Sequence, residues 1–216
     1  MKKISALGIL LLLSVQLIRA QGFTVIEKGT MPTTRLGHSI FYAGDHRAIV
    51  AGGHVSGFDI TATALVYDIL TKTWNTSEML YPHDGGGIVR LSNGNMLIFG
   101  GAGSGSGVGQ SPYAEIYDTT SRQFIATGPM NEARMFCNGI LLTNGSILVG
   151  GNWYNQDAYE EIYDPGTGNF SATNPVVVQR SLPLIVPTQD GGAMICGGYD
   201  IYGSSYYEEV DYYDAE

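Results

Sequence analysis

Four basic side chains recur at a regular place in the sequence and could bind an anion together. Arg35, His83, Arg134 and Arg180 each stand sixteen or seventeen residues before a Gly-Gly doublet. Three guanidiniums that converge on one point could clamp a carboxylate or a sugar acid by paired hydrogen bonds. The alternative is structural, with each cation tying its own strand to backbone carbonyls of a neighbouring unit.

The glycine-rich stretch GGAGSGSGVG, residues 100–109, is a second candidate, for a phosphate-binding loop. A dinucleotide loop needs G-x-G-x-x-G between a strand and a helix, and no choice of these glycines supplies that spacing. A Lys followed by Ser or Thr, which a nucleoside triphosphate loop requires, is also missing from the stretch. The glycines therefore indicate a loop of the fold rather than a nucleotide site.

The elements that must position these residues belong to one unit written four times. The first landmark is a Gly-Gly doublet after a short apolar run: Gly52 and Gly53, Gly100 and Gly101, Gly150 and Gly151, Gly197 and Gly198. A Tyr-Asp pair follows in phase, and then an aromatic residue six positions beyond the Asp. The landmark aromatic residues are Tyr67, Tyr117, Tyr163 and Tyr213, then Trp74, Phe124 and Phe170. Repeats in register over the chain predict an array of identical supersecondary units.

Each unit has the local signals of β-structure. Apolar or alternating runs of four to eight residues are separated by turn formers such as Asn93-Gly94 and Asn144-Gly145. No window has a sustained period of 3.6 residues. The sequence therefore predicts an all-β fold with four strands, a to d, in each unit.

These residues resemble the kelch-repeat family: a basic residue before strand a, Gly-Gly after strand b, Tyr-Asp ending strand c, and Trp or Phe on strand d. The resemblance covers residues 23–216 and implies a kelch-type β-propeller domain, residues 21–216, with four four-stranded blades. It also places the four basic residues around the mouth of a central channel and favours a structural role for them. His83 departs from the family pattern, which has Arg there.

The fourth unit has no strand d of its own, because the sequence stops at Glu216. Residues 23–27 (FTVIE) resemble a strand d placed before the first strand a, so they could pair with the last blade and close the ring. Such closure would remove an open sheet edge. Two alternatives stay open: a closed ring of four blades, and part of a larger propeller or of an oligomer.

The first twenty residues have the pattern of a secretory signal peptide: Lys2 and Lys3, an apolar run, and Ala20 at a plausible cleavage point. Their removal would take the net charge from −9 to −12. With so few basic residues the chain is not expected to bind nucleic acid. We expect an extracellular protein with no membrane span after cleavage. The sequons at Asn75, Asn144 and Asn169 are candidate glycosylation sites.

The loops between strands b and c vary in length and content, which is typical of the binding surface of a repeat protein. Aromatic and histidine side chains there suit stacking on sugars or anchoring a protein. The candidates are His54, Phe58, Trp153, Tyr154, Tyr199 and Tyr202.

An enzymatic alternative rests on resemblance alone. The run Met135-Phe136-Cys137-Asn138-Gly139 resembles a segment of galactose oxidases, copper-radical enzymes with a kelch domain, in which this Cys is cross-linked to a Tyr that ligates copper. The matching place here, after Arg180, holds Ser181-Leu182, and further copper ligands have no evident counterpart. The residues thus predict a secreted binding module for a protein or carbohydrate, with no catalytic residues, metal or cofactor; a copper oxidase is the alternative.

Overall fold

The computed structural model describes residues 29–56, 59–103, 109–153, 159–175, 180–200 and 205–214. The predicted signal peptide, the strand at 23–27 and the candidates Phe58, Tyr154 and Tyr202 lie outside these ranges. The described residues form seventeen β-strands and no helix, so the all-β prediction is confirmed. Within these ranges, no helix has the length and apolar character needed to cross a membrane.

Three antiparallel sheets have four strands each, in the order of the chain. Sheet I comprises β1 (Ser39–Gly44), β2 (Arg47–Ala51), β3 (Thr63–Asp68) and β4 (Thr73–Glu78). Sheet II comprises β5 (Gly87–Arg90), β6 (Met96–Phe99), β7 (Ala114–Asp118) and β8 (Gln123–Ala126). Sheet III comprises β9 (Asn138–Leu141), β10 (Ile147–Gly150), β11 (Tyr159–Asp164) and β12 (Asn169–Pro175).

The fourth unit forms sheet IV, which has three strands among the described residues: β13 (Leu184–Pro187), β14 (Ala193–Cys196) and β17 (Val210–Tyr213). A short hairpin of β15 (Tyr199–Asp200) and β16 (Ser205–Tyr206) lies in its b–c loop. Each predicted strand a, b and c is therefore present four times, and strand d three times within the described ranges.

The core consists of three sheet-on-sheet interfaces. We call the face of each sheet that packs on the next sheet its forward face, and the opposite one its rear face. Phe41, Ile49 and Val66 of sheet I pack on Met96, Ile98 and Tyr117 of sheet II. The same positions recur between sheets II and III (Val89, Leu97 and Ile116 on Ile147, Val149 and Tyr163) and between sheets III and IV (Ile140, Leu148 and Ile162 on Ala193, Ile195 and Tyr213).

The predicted aromatic landmarks form one pair in each complete sheet. Ring centroids of Tyr67 and Trp74 lie 4.7 Å apart, those of Tyr117 and Phe124 5.0 Å, and those of Tyr163 and Phe170 4.8 Å. In every case the two residues are paired across strands c and d. The pairs of sheets II and III are buried, and burying each such side chain stabilises the fold by roughly 1.5–3 kcal/mol, whereas Tyr67 and Trp74 of sheet I are half-buried.

The Asp of the Tyr-Asp pair caps the turn between strands c and d in sheets I, II and III. Asp118 accepts hydrogen bonds from the backbone N–H groups of Thr120 and Ser121, and Asp68 and Asp164 do the same in their own turns. These bonds lower the pKa of all three carboxyl groups. The landmark Asp residues thus fix the turns, as the repeat pattern predicts.

Candidate functional site

The four recurrent basic residues bind their own sheets. Arg134 donates from Nη1 to the carbonyl of Gly151 and from Nε to the carboxylate of Glu161, at 3.3 and 3.1 Å. Arg35 donates to the carbonyls of Gly52 and Thr63. Every one of these partners lies on strand c or directly after strand b of the same unit. The prediction that these side chains bond to carbonyls of a neighbouring unit is therefore wrong.

His83 and Arg180 repeat the arrangement. The Nδ1 of His83 lies 2.6 Å from the Gly100 carbonyl, and its Nε2 lies 3.1 Å from Glu115. Arg180 donates to the Gly197 carbonyl and, at 2.7 Å, to Asp211. His83, Arg134 and Arg180 are 1%, 2% and 1% exposed, so their polar atoms face protein rather than a ligand. The geometry favours the structural role over an anion clamp.

The second glycine of a doublet packs against the residue that follows the basic one. A Cβ on Gly53 would lie 2.6 Å from the Leu36 carbonyl oxygen, and one on Gly198 would lie 2.8 Å from that of Ser181. Both contacts are too close for any side chain. The doublet members with a positive φ, between 64° and 101°, are Gly52, Gly53, Gly100, Gly101, Gly151, Gly197 and Gly198. Gly150 is the exception, since it does not have a positive φ and belongs to β10.

Hydrogen bonds also correct the register of the third doublet. The basic residue bonds to the carbonyl seventeen residues ahead in all four units. By this measure Gly151 and Asn152 occupy the places of the doublet in unit III, and Gly150 lies one residue earlier. The N–H of Asn152 likewise bonds to the carbonyl of Arg180, as the N–H of Gly53 bonds to that of His83.

Two residues after each basic residue, the chain has a positive φ. The four residues are Gly37, Gly85, Phe136 and Leu182, with φ between 54° and 68°. Their backbones form a ladder from sheet to sheet: Gly85 N–H donates to the Gly37 carbonyl, Phe136 to Gly85, and Leu182 to Phe136, at 2.8, 2.8 and 3.0 Å. A bulky residue in this conformation costs about 1–2 kcal/mol, so Phe136 and Leu182 are strained positions along the ladder.

Three of the candidate binding residues occupy one position of the repeat. His54, Trp153 and Tyr199 each stand nineteen residues after the basic residue, at the start of the b–c loop, where unit II has Ala102. The backbones of His54, Ala102 and Tyr199 form bridges with the residue that follows the basic residue. The repeat therefore presents this position on one edge of the sheets, beside the ladder.

The side chains at this position contact chemically distinct neighbours. The Nδ1 of His54 lies 2.9 Å from the carboxylate of Asp84, which belongs to the next unit. Trp153 meets Phe136 edge to face, with ring centroids 4.8 Å apart. Tyr199 and Tyr206 have centroids 5.6 Å apart, and Tyr206 is 85% exposed. The geometry thus combines a His–Asp pair with accessible aromatic rings.

Glycines at two ladder positions allow the Asp84 carboxylate and the Phe136 ring to approach the ladder. A Cβ on Gly37 would lie 1.8 Å from Oδ1 of Asp84, and one on Gly85 would lie 2.9 Å from the Phe136 ring. Asp84 and Phe136 are therefore held over consecutive rungs. We call Asp84, His54, Phe136 and Trp153 the rim cluster.

Sequence reasoning did not identify an aromatic stack beside the rim cluster. The rings of Tyr81 and Tyr113 lie parallel, with centroids 4.4 Å apart, and Tyr113 is 48% exposed. Tyr81 stands two residues before His83, and Tyr113 directly precedes β7. Glu132 and Tyr159 hold the corresponding places in unit III, and the Tyr159 hydroxyl donates to Glu132 at 2.7 Å. These two places carry Tyr and Tyr in unit II but Glu and Tyr in unit III. Comparing the two units would therefore have indicated that the places lie on the surface.

Cys137, the residue behind the copper alternative, lies in the core between sheets II and III. Burial raises the pKa of its thiol to about 11. Within the described ranges, no three His, Cys, Asp or Glu side chains are placed to hold a metal ion. The residues after Arg180 are Ser181, which is buried, and Leu182, on the ladder.

No protein-family model matches the chain, and comparison with curated proteins also gives no match.

Proposed function

We propose that this chain is a secreted binding module of the kelch-propeller type, and that it engages a carbohydrate or protein partner through the face that carries the b–c loops. The observation that carries the proposal is the shared repeat position of His54, Trp153 and Tyr199. One edge of the sheets thereby presents aromatic rings beside a His–Asp pair.

The chemistry of the rim cluster favours ligands with hydroxyl groups and apolar faces. Sugar rings stack on Trp and Tyr and donate hydrogen bonds to carboxylates such as that of Asp84. A Trp or Tyr at the centre of a protein interface contributes in the same way. The net charge of −9 and the burial of three of the recurrent basic residues disfavour nucleic acid and other polyanions as partners.

The propeller architecture is proposed from the repeated sheets and their equivalent packing. In a ring of four four-stranded blades, residues 23–27 would complete sheet IV beside β17. The register of sheets I to III predicts Phe23 opposite Tyr213, since Trp74, Phe124 and Phe170 each stand opposite the landmark Tyr. Phe23 would then form the fourth aromatic pair.

Secretion is proposed from residues 1–20, and the three sequons are compatible with it. Asn75, Asn144 and Asn169 are all exposed. Expression of the full chain in a glycosylating, secreting host should release a protein that begins at Gln21 or close to it and carries enzyme-removable glycans. Retention of residues 1–20 in the cells' product would contradict the export proposal.

A binding screen tests the function. Wild type and the variants Trp153→Ala and Tyr199→Ala are applied to a glycan array and used as baits for extracellular proteins. We expect a defined ligand whose binding falls by about tenfold or more in at least one variant, or about 1.4 kcal/mol. The matched control is Leu70→Ala, since Leu70 is 67% exposed in the β3–β4 turn, at the opposite end of the strands. Equal binding by all four proteins would refute the assignment of this face.

A further inference from the structure

Carboxylate side chains are concentrated at the end of the strands that carries the b–c loops. The connections from strand d to the next strand a lie at the same end, and we call this end the loop face. Glu78 belongs to it, because it pairs with Thr63, the first residue of β3. The exposed carboxylates of the loop face are Asp59, Glu78, Glu208 and Glu209. Half-buried carboxylates there are Asp84, Glu132 and Asp200.

Basic side chains of the loop face are directed into the protein. Within the described ranges, none of its Lys or Arg residues is exposed. The half-buried Arg35 donates to the carbonyls of Gly52 and Thr63. Arg134 and Arg180 are buried and bond to carboxylates of their own units, those of Glu161 and Asp211. The carboxylates on the surface of the loop face therefore meet no exposed cation from the described part of the chain.

The opposite end of the strands has charges of both signs. The Lys and Arg residues in the turns there or next to them are Arg47, Lys72, Arg90 and Arg122. Asp45 lies among them and pairs with Arg47 at 3.0 Å and with Arg122 at 3.1 Å. The molecule is thus electrically asymmetric, and the loop face is its more negative end.

Aromatic rings of the loop face lie beside its carboxylates. The Tyr159 hydroxyl donates to Glu132 at 2.7 Å. Tyr206 is 85% exposed and lies in the β15–β16 hairpin, in which Asp200 pairs with Ser205. Trp153 belongs to the rim cluster with Asp84. Rings and carboxylates are therefore grouped in units III and IV and at the rim cluster.

The chain itself shows how rings of the loop face meet a cation. The guanidinium carbon of Arg134 lies 5.8 Å from the centroid of Tyr159, and that of Arg180 lies 5.6 Å from the centroid of Tyr207. Both guanidiniums also bond to a carboxylate. A ring face together with a carboxylate binds a Lys or Arg side chain by cation–π attraction and a charged hydrogen bond. Tyr206, with Glu208 two residues further on, offers the same combination at the surface.

Charge distinguishes between the two classes of partner that the proposed function leaves open. An anionic glycan would be repelled by the carboxylates of the loop face, and a neutral glycan would gain no charge attraction from them. A cationic protein segment gains from the rings and from the carboxylates together. Electrostatic complementarity therefore favours protein over carbohydrate.

We propose that the loop face binds a basic segment of a partner protein, with Lys or Arg side chains over its aromatic rings and beside its carboxylates. The inference rests on the proposed function, which assigns binding to this end of the strands, and it adds the chemistry of the partner. Long-range attraction between the acidic face and the basic segment also speeds their encounter at low salt.

A pair of peptides tests the chemistry. The probe is a short fluorescent peptide of alternating lysine and glycine, compared with the same peptide acetylated on every lysine, which keeps the chain and removes the charges. We expect the full chain to bind the lysine peptide at least about tenfold more tightly than the acetylated one. The affinity for the lysine peptide should also fall as the salt concentration rises. Equal affinities, or no binding of either peptide, overturn the proposal.

Charge variants separate the loop face from the general attraction of an acidic chain for a cationic peptide. Glu208→Gln with Glu209→Gln removes two charges from the loop face. Asp45→Asn with Asp190→Asn is the matched control, because it removes two exposed carboxylates from turns at the opposite end. We expect the first pair to weaken binding of the lysine peptide by about threefold or more, and the control pair by clearly less. Equal losses in the two pairs overturn the proposal.

The ring of Tyr206 gives a further comparison. Tyr206→Ala should weaken binding of the lysine peptide, whereas Tyr206→Phe should retain it, because the ring rather than the hydroxyl faces the cation. The high exposure of Tyr206 makes both variants compatible with folding. Equal binding by wild type and Tyr206→Ala would contradict the role of this ring.

The glycan array distinguishes failure of this inference from failure of the proposed function. A neutral glycan whose binding falls in Trp153→Ala or Tyr199→Ala, together with no binding of the lysine peptide, overturns the basic partner and leaves the loop face as a binding surface. Unchanged binding of every ligand, the lysine peptide included, in both of these variants refutes the proposed function and this inference with it.

Discussion

Oε2 of Glu160 accepts a hydrogen bond from the Gly151 backbone N–H at 3.1 Å, inside the interface between sheets III and IV. Sheets I and II have Ala64 and Ala114 at the position of Glu160, both fully buried. Glu160 itself is 4% exposed, and Arg134 lies 3.5 Å from the same oxygen. Unit III thus carries a buried carboxyl group where units I and II carry a methyl group.

This carboxyl group should make stability depend on pH. Burial raises the pKa of Glu160 above its ordinary value near 4.5, and the charge of Arg134 only partly opposes the shift. The folded chain then holds this proton more tightly than the unfolded chain. Its contribution to stability is therefore complete below pH 4.5 and is lost as the pH rises through the folded pKa.

Glu160→Gln should remove that dependence. We expect the variant to equal or exceed wild type in free energy of unfolding at pH 8, with the advantage shrinking toward pH 4. The slope of the difference should not exceed about 1.4 kcal/mol per pH unit. Urea titrations at several pH values measure it, with Glu78→Gln, an exposed residue of β4, as the control for removing one charge. A difference that grows as the pH falls would contradict the raised pKa.

The glycine doublets make a second prediction about stability. Gly100 has a φ of 67°, and a Cβ there would lie 2.7 Å from the Arg134 carbonyl oxygen. Gly94 has a φ of 89°, but no atom of the described residues lies within 4 Å of the place that a Cβ would take. Gly94→Ala should thus cost about 1 kcal/mol for the conformation alone, and Gly100→Ala about 3 kcal/mol because a clash is added. Equal losses in urea unfolding would show that backbone conformation, not close approach, explains the doublet.

The sequence predicted these doublets because glycine has a local signature, but it placed the third one residue early. Gly150-Gly151 matches the pattern by residue type, whereas the hydrogen bonds select Gly151 and Asn152. For the candidate site, too, the sequence indicated residue types but not the contacts that they make. Trp153 and Tyr199 could be predicted as loop residues, but the contacts of His54 with Asp84 and of Trp153 with Phe136 could not. Those contacts depend on how the units stack, and the ladder that sets the stacking uses backbone groups that any residue supplies.

The strand d aromatics allow the predicted packing to be tested within one strand. Phe124 is 7% exposed and contacts Tyr117 in the interface with sheet I. Ile125, the next residue, is 44% exposed on the opposite side of β8. Phe124→Ala should cost about 3–5 kcal/mol of unfolding free energy through the cavity it leaves, and Ile125→Ala less than about 1 kcal/mol. Similar losses in thermal and urea unfolding would mean that sheets I and II do not pack in this way.

Cys137 should be inert in the folded protein. The thiolate is the reactive form of cysteine, and with a pKa of about 11 only about one Cys137 thiol in a thousand is ionised at pH 8. A thiol reagent at low protein concentration should therefore modify Cys196, which is partly exposed, and reach Cys137 only after denaturant is added. Peptide mass mapping of the two cysteines measures this, and Cys196→Ser isolates the slow site.

The same experiment bears on the copper alternative. A thiol that is buried among apolar side chains and protonated should remain unmodified, so mapping of the native protein should find Cys137 as a free thiol with its full mass. A cross-link from Cys137 to a Tyr would instead remove two hydrogens and leave no thiol to label after denaturation. Stoichiometric copper together with that loss would overturn the binding-module proposal in favour of an oxidase. A labelled Cys137 in copper-supplied protein would refute the oxidase, since the cross-linked sulfur could not react.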